Sequence, residues 1–155
     1  MNTSTVFIEE DRVRRHTSDE AARDIDAKTR RQVREHALAE PDAVDRRIRC
    51  LERERDMEQV LETNASILAL TGALLGTTVH RGFFALTGVV LGFLTQHATT
   101  GWCPPVPIFR SVGVRTRSEI AQEKYALKAL RGDFRGVRAA NPAVTAERAL
   151  AAVNA

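Results

Sequence analysis

Cysteine is scarce in this sequence: only Cys50 and Cys103 occur, one in a charged stretch and the other beside prolines. Two thiols in such different settings give no disulfide framework and suit a reducing compartment. The opening residues, Met-Asn-Thr-Ser-Thr-Val-Phe-Ile-Glu-Glu, have no basic head followed by a long apolar stretch. A cleaved signal peptide is therefore not expected. No phosphate-binding glycine loop, pair of catalytic acids or nucleophile triad can be read. No catalytic residue, cofactor site or metal site is assigned, and a non-enzyme is expected. The most informative absence is of charge. The 18 residues between Glu62 and Arg81 carry none, and none returns after Arg81 until Arg110.

What is present is segregated. The 155 residues average 43% apolar and 28% charged, which would suit a soluble domain. Yet nearly every turn from Glu9 to Glu58 carries several charges, while Phe83, Phe84 and Phe93 all fall in the second uncharged run. A globular domain spreads its core residues over all its elements. A net charge of +3 and a pI near 9.3 suit an anionic membrane surface as well as nucleic acid. The apolar runs favour the membrane, so the lipid bilayer is the expected partner and nucleic acid is not.

The pattern is all-α. Residues 1–16 show no helical period and read as a flexible N-terminus. Residues 17–60 read as a charged helical arm, opened by the capping-box pair Thr17 and Glu20 and broken near Pro41. Val44, Ile48 and Leu51 recur at helical spacing. With neither Gly nor Pro from Asp42 to Thr71, this helix is expected to run unbroken into the apolar segment. Residues 61–101 read as a transmembrane helical hairpin. Eighteen residues of helix reach about 27 Å, just enough for a hydrocarbon core of about 30 Å, and His80-Arg81-Gly82 makes the link. Both halves read A-L-T-G-x-x-L-G, Ala69–Gly76 and Ala85–Gly92. Two stripes result, Ala65-Ala69-Gly72-Gly76 and Ala85-Gly88-Gly92-Thr95. Membrane helices associate where small residues let backbones approach, so Gly72, Gly76, Gly88 and Gly92 are expected at the contact. A soluble helical oligomer is the alternative, and it needs other apolar surface to cover Leu70, Leu74, Phe83 and Phe84.

Residues 102–116 form a Cys-Pro-rich turn, 117–134 a short amphipathic helix opened by Thr116 and Glu119, and 135–155 an Ala-rich tail. The helix at 117–134 suits a membrane surface, with Lys124, Lys128 and Arg131 reaching headgroups, or packing on the arm. Arg46, Arg47, Arg49, Arg53 and Arg55 precede the hairpin and Arg110, Arg115, Arg117, Lys124 and Lys128 come after it, whereas Arg81 stands alone in the link. Basic residues stay on the cytoplasmic side. Both termini are thus expected in the cytoplasm, at a bacterial inner membrane. A homo-oligomer or a membrane-protein partner is expected to satisfy Thr71, Thr77 and Gln96.

Three residues are candidates for a functional role. Trp102 stands where an interfacial anchor belongs. His97 is ionisable near membrane depth. Cys103, beside Pro104 and Pro105, suggests a redox or sulfur-related accessory protein if Arg110 or Arg115 lowers its pKa. Otherwise it is a small residue packed at a helix end. His97 and Cys103 alone make no closed metal site.

With the hairpin followed by Gly101-Trp-Cys-Pro-Pro105 and Phe109-Arg-Ser-Val-Gly-Val-Arg-Thr116, the chain resembles the YgaP-like transmembrane family over about residues 60–117. The resemblance implies a small bacterial inner-membrane domain of two short helices ending in a Cys-Pro element and a glycine turn, here Gly113 to Thr116. The arm and the region after Arg117 make it a longer variant. Some members are fused to a sulfur-transferring rhodanese domain. Cys50 and Arg55 have C-x4-R spacing, but Cys50-Leu-Glu-Arg-Glu-Arg55 carries two carboxylates where a persulfide loop needs backbone N–H groups. The family's role is unsettled, so the resemblance carries over no catalytic residue.

Overall fold

The computed structural model describes residues 11–135, 137 and 148–153. Its helices are α1 (Arg12–Arg15), α2 (Asp19–Ala37), α3 (Pro41–Arg53), α4 (Met57–Thr78), α5 (Phe84–Thr100), α6 (Val106–Ser111) and α7 (Arg117–Arg131). A further helical stretch covers 148–153, and there is no strand among the described residues. The chain is all-α. It divides into two compact units, Met1–Ile25 with Arg55–Ser118 and Asp26–Glu54 with Glu119–Ala155. Residues 1–10 of the expected flexible N-terminus, and most of the tail 135–155, lie outside the described residues.

The first unit is built on α4 and α5, joined by a 3-10 turn at Arg81–Phe83. The continuous helix expected from Asp42 onward is instead interrupted at Glu54–Asp56. Asp56 is the N-cap of α4, its carboxylate accepting from the Gln59 amide at 2.9 Å, and this cap separates α3 from α4. Asp56-x-x-Gln59 has the spacing of an N-terminal cap readable in the sequence. At the other end, α5 stops at Gly101, whose φ of 78° is left-handed. An added Cβ there would lie 2.4 Å from that of Arg12, so only glycine closes the helix.

Contact between α4 and α5 is close and lopsided. A Cβ built on Gly72 would lie 2.7 Å from Thr87 Oγ1 and 3.1 Å from the Thr87 nitrogen, and one on Gly76 would lie 3.0 Å from the Phe84 ring. Thr87 Oγ1 donates across the contact to the Ala69 carbonyl at 3.1 Å. The small stripe of α4 thus lies at the contact. Gly88 and Gly92, expected opposite it, meet nothing within 4 Å. Thr87, Val90, Leu94 and His97 form a covered face of α5, turned away from both glycines. A groove of small residues accepts larger ones, so a second glycine stripe is not required.

The outward faces are apolar: Ile67, Leu70, Leu74, Phe84, Val89 and Leu91 are all exposed. The polar side chains among them satisfy their own helices. Thr71, Thr77, Thr78, Thr95 and Asn64 each donate to a carbonyl three or four residues back. Thr71 and Thr77, expected to seek a protein partner, therefore have one in their own backbone.

Below the pair, Val13, Met57, Leu61, Cys103 and Val106 form a small apolar core flanked by Phe109 and Val114. Residues 11–16, expected to be flexible, contribute α1 and the buried Val13 to it. The turn expected over 102–116 contains helix α6, which starts between Pro105 and Pro107 because proline suits the first helical turn. The cap of α2 is Ser18, whose Oγ accepts from the Ala21 amide at 3.3 Å. Thr17, the expected cap, instead donates to the Val13 carbonyl.

In the second unit, Val44, Ile48 and Leu51 of α3 pack with Ile120 and Leu127 of α7. Arg47 binds the fully buried Glu123 at 2.7 Å, and Arg131 binds Asp45 at 2.7 Å and also Asp133. Lys128 is buried and donates to the Val153 carbonyl at 2.7 Å. It does not reach outward to headgroups as the sequence suggested, because the apolar stripe of α7 is already used against α3.

The glycines of α4 and α5 give opposite expectations. Gly72→Leu forces bulk against the Thr87 backbone and should cost about 1–3 kcal/mol, whereas Gly88→Leu should change stability by less than about 0.5 kcal/mol. Helicity tracked through thermal unfolding in detergent distinguishes them. Equal effects of the two would contradict the observed rotation of α5.

Candidate functional site

The candidate residues His97, Trp102 and Cys103 come at the closed base of the α4–α5 pair. The last turn of α5 brings His97 to the inner face and leaves it 8% exposed. Its Nδ1 is buried without a hydrogen-bond partner, so it does not reach outward to headgroups or the proline loop. Trp102 comes after the left-handed Gly101, half-buried, with its amide donating to Thr100 Oγ1 at 3.2 Å. Cys103 turns inward and is 4% exposed, among Val13, Met57, Leu61 and Val106.

That environment decides what Cys103 can do. Burial pushes its thiol above the ordinary value, outweighing a hydrogen bond from the Val106 amide. A thiol acts as nucleophile or metal ligand through its thiolate, and this site disfavours the thiolate. The expected help from Arg110 is engaged elsewhere: its Nε donates to Thr17 Oγ1 and its Nη1 to the Val114 carbonyl, both at 2.9 Å. The packed-residue reading of Cys103 thus describes the geometry, and the activated-thiol expectation does not. Cys50 is exposed within α3, with no loop around it.

Sequence reading missed the residues that tie the base together. Asp11 caps α1 by accepting from the Arg14 amide at 3.1 Å and also accepts from Thr116 and Ser118 hydroxyls, the latter at 2.6 Å. Arg12 donates to the carbonyls of Ala98 and Thr99 at 2.9 and 3.2 Å, where a cation suits the negative end of α5. The Met57 amide donates to the Arg115 carbonyl at 2.9 Å, and Arg117 pairs with Asp56 at 3.0 Å. These contacts join residues far apart in sequence, which leave no periodic signal. Only Asp11-x-x-Arg14, as a cap, was locally readable.

At the far end of the pair, Gly76, Thr77, Val79, His80, Arg81 and Phe84 line a wide hollow of about 580 Å³. His80 Nδ1 accepts there from the Gly82 amide at 3.0 Å. Among the described residues no three His, Cys, Asp or Glu side chains gather to hold a metal ion.

Asp11 makes the base sensitive to acid. Burial raises its carboxyl pKa, but the bonds from Ser118, Thr116 and the Arg14 amide, with the charge of Arg110, hold it below the ordinary value. A depressed carboxylate pKa stabilises the fold above the unfolded value of about 3.9, and the contribution is lost as pH falls toward the folded value. The thermal midpoint should therefore drop on acidification through pH 4, and Asp11→Asn should show a smaller drop. An unchanged profile in the variant would remove Asp11 from that role. Thiol labelling checks the base separately: a maleimide should modify Cys50 in the native protein and Cys103 only after unfolding, and rapid native labelling of Cys103 in Cys50→Ser would contradict its burial.

In comparison with known proteins, no family model, curated protein or solved structure matches the chain.

Proposed function

We propose that this chain is a small integral protein of a bacterial inner membrane, in which α4 crosses the bilayer and α5 returns. Both termini then lie in the cytoplasm, and the protein acts as an interaction or structural subunit and not as an enzyme. The observation that carries this reading is the inverted burial of the two helices. Both are long and apolar enough to cross a membrane, yet only 17% and 6% of their most apolar stretches are buried. The core helix of a soluble protein has the opposite pattern. Eleven large apolar side chains between Ile67 and Phe93 are more than a third exposed. Keeping them half in water would forfeit on the order of 10 kcal/mol, as much as a typical domain's whole stability. Lipid removes that cost.

The self-bonded threonines support the same solvent, since lipid offers their hydroxyls nothing. Orientation rests on the cluster of arginines on either side of the pair against the single Arg81 in the link. The likeness to the YgaP-like transmembrane family belongs to this proposal. It rests on Cys103-Pro104-Pro105 and on Gly113, whose φ of 86° requires glycine. A role as a redox accessory through Cys103 is the weaker reading, because the thiol is buried and its pKa raised.

Alkaline carbonate extraction should leave the protein in the membrane pellet, and reporters fused to either end should register the cytoplasm. Release into the supernatant would return the chain to the soluble-oligomer reading. A periplasmic signal from either terminus would overturn the orientation.

A further inference from the structure

Helix α6 is inside out. Its one charged side chain, Arg110, is 1% exposed, while Ile108 and Val112 are 64% and 72% exposed. Pro104 and Pro107 are exposed as well, Pro104 standing four residues before Ile108 and three before Pro107, and Pro107 next to Ile108. The remaining member of that face, Ser111, turns its hydroxyl back onto the Ile108 carbonyl at 2.8 Å. The outward face thus presents no charge and no free hydroxyl. A helix meant for water has the reverse distribution.

The same inversion marks α4 and α5, and α6 is anchored to their base. Val106, its first residue, packs with Met57 and Leu61 in the first turns of α4. Leu61 adjoins Glu62, the last charge before the uncharged run, and Met57 lies about 6 Å further along the helix axis. This is the depth of the headgroup layer, where interfacial helices bury about 5–10 Å of one face. We propose that α6 is an interfacial helix that seats Pro107, Ile108 and Val112 among the lipids on the side where the termini lie. It rests on the reading of α4 and α5 as membrane spans. Lipid then covers the outward apolar surface of the pair and, at the level of the headgroups, the outward face of α6.

Trp102 is the only tryptophan, so Trp102→Phe gives a silent background for Ile108→Trp and, as a span control, Val89→Trp. Each full-length variant is reconstituted in phosphatidylethanolamine and phosphatidylglycerol vesicles with lipids brominated near the headgroup or deep in the chain. The expected result is loss of Ile108→Trp emission with shallow bromination and little quenching by aqueous iodide. Iodide quenching of Ile108→Trp, with Val89→Trp still quenched by lipid, would overturn the interfacial helix and leave the spans standing. Protection of Ile108→Trp from both quenchers would assign the face to a protein surface and equally overturn the proposal. Failure of bromolipids to quench Val89→Trp would defeat the membrane reading itself. If Trp102→Phe folds poorly, oxygen accessibility of a nitroxide at Ile108→Cys in Cys50→Ser reads the same depth.

Discussion

Where Gly72 meets Thr87, two helix backbones come so near that a methyl group does not fit between them. This close approach governs most of the first unit. At this contact the bulk comes from α5, so α4 needs none there, and Leu68, Leu70 and Leu74 of α4 are exposed. The Thr87 hydroxyl reaches the Ala69 carbonyl, and the Phe84 ring lies over Gly76. With the inner surface so thin, the large apolar residues have nowhere to go but outward. In membranes, packing of this kind and a few modest hydrogen bonds hold helices together, since hiding leucine from lipid gains nothing.

The base of the pair obeys a different logic. There the chain builds a small buried core from Val13, Met57, Leu61, Cys103 and Val106. Around this core, side chains answer backbone groups that the helix ends leave open. Asp56 satisfies the start of α4, Arg12 the end of α5 and Asp11 the start of α1. Charged groups in this region close helix ends, and Cys103 and His97 are buried beside them.

The sequence made the helical class, the break before Pro41 and the glycine groove of α4 legible, because each rests on local spacing or on a residue with one strong preference. The face of α5 was not legible. Its A-L-T-G-x-x-L-G repeat invites a symmetric contact, but an antiparallel pair needs smallness on one side only, and nothing local says which helix supplies the ridge. The break at Glu54–Asp56 was readable in Asp56-x-x-Gln59 and was masked by a run free of Gly and Pro. Helix α6 was hidden by its own prolines, which end a preceding helix and equally well begin a new one. The destination of Lys128 was unreadable because α7 offers both an amphipathic stripe and outward lysines, and only its packing on α3 decides between lipid and protein. Of the candidate site, position was legible and environment was not. Trp102 and Cys103 come after the helix end as expected, but the burial of Cys103 depends on Val13, ninety residues earlier in the chain.

That separation bears on the order in which the molecule comes together during synthesis. Arg12 bonds to carbonyls 86 and 87 residues away, and Asp11 accepts from a hydroxyl 107 residues away. Helix α1 is therefore synthesised well before the segment it docks on, Ala98 to Ser118. Until Ser118 has emerged, Asp11 lacks its two hydroxyl donors, and Val13 must wait for Cys103 and Val106 as neighbours. The pair α4 and α5 depends on contacts no further apart than Ala69 and Thr87, so it is free to form early. Closure of the base is then the late, non-local step, paid for in chain entropy only once the helices it clasps are already in place.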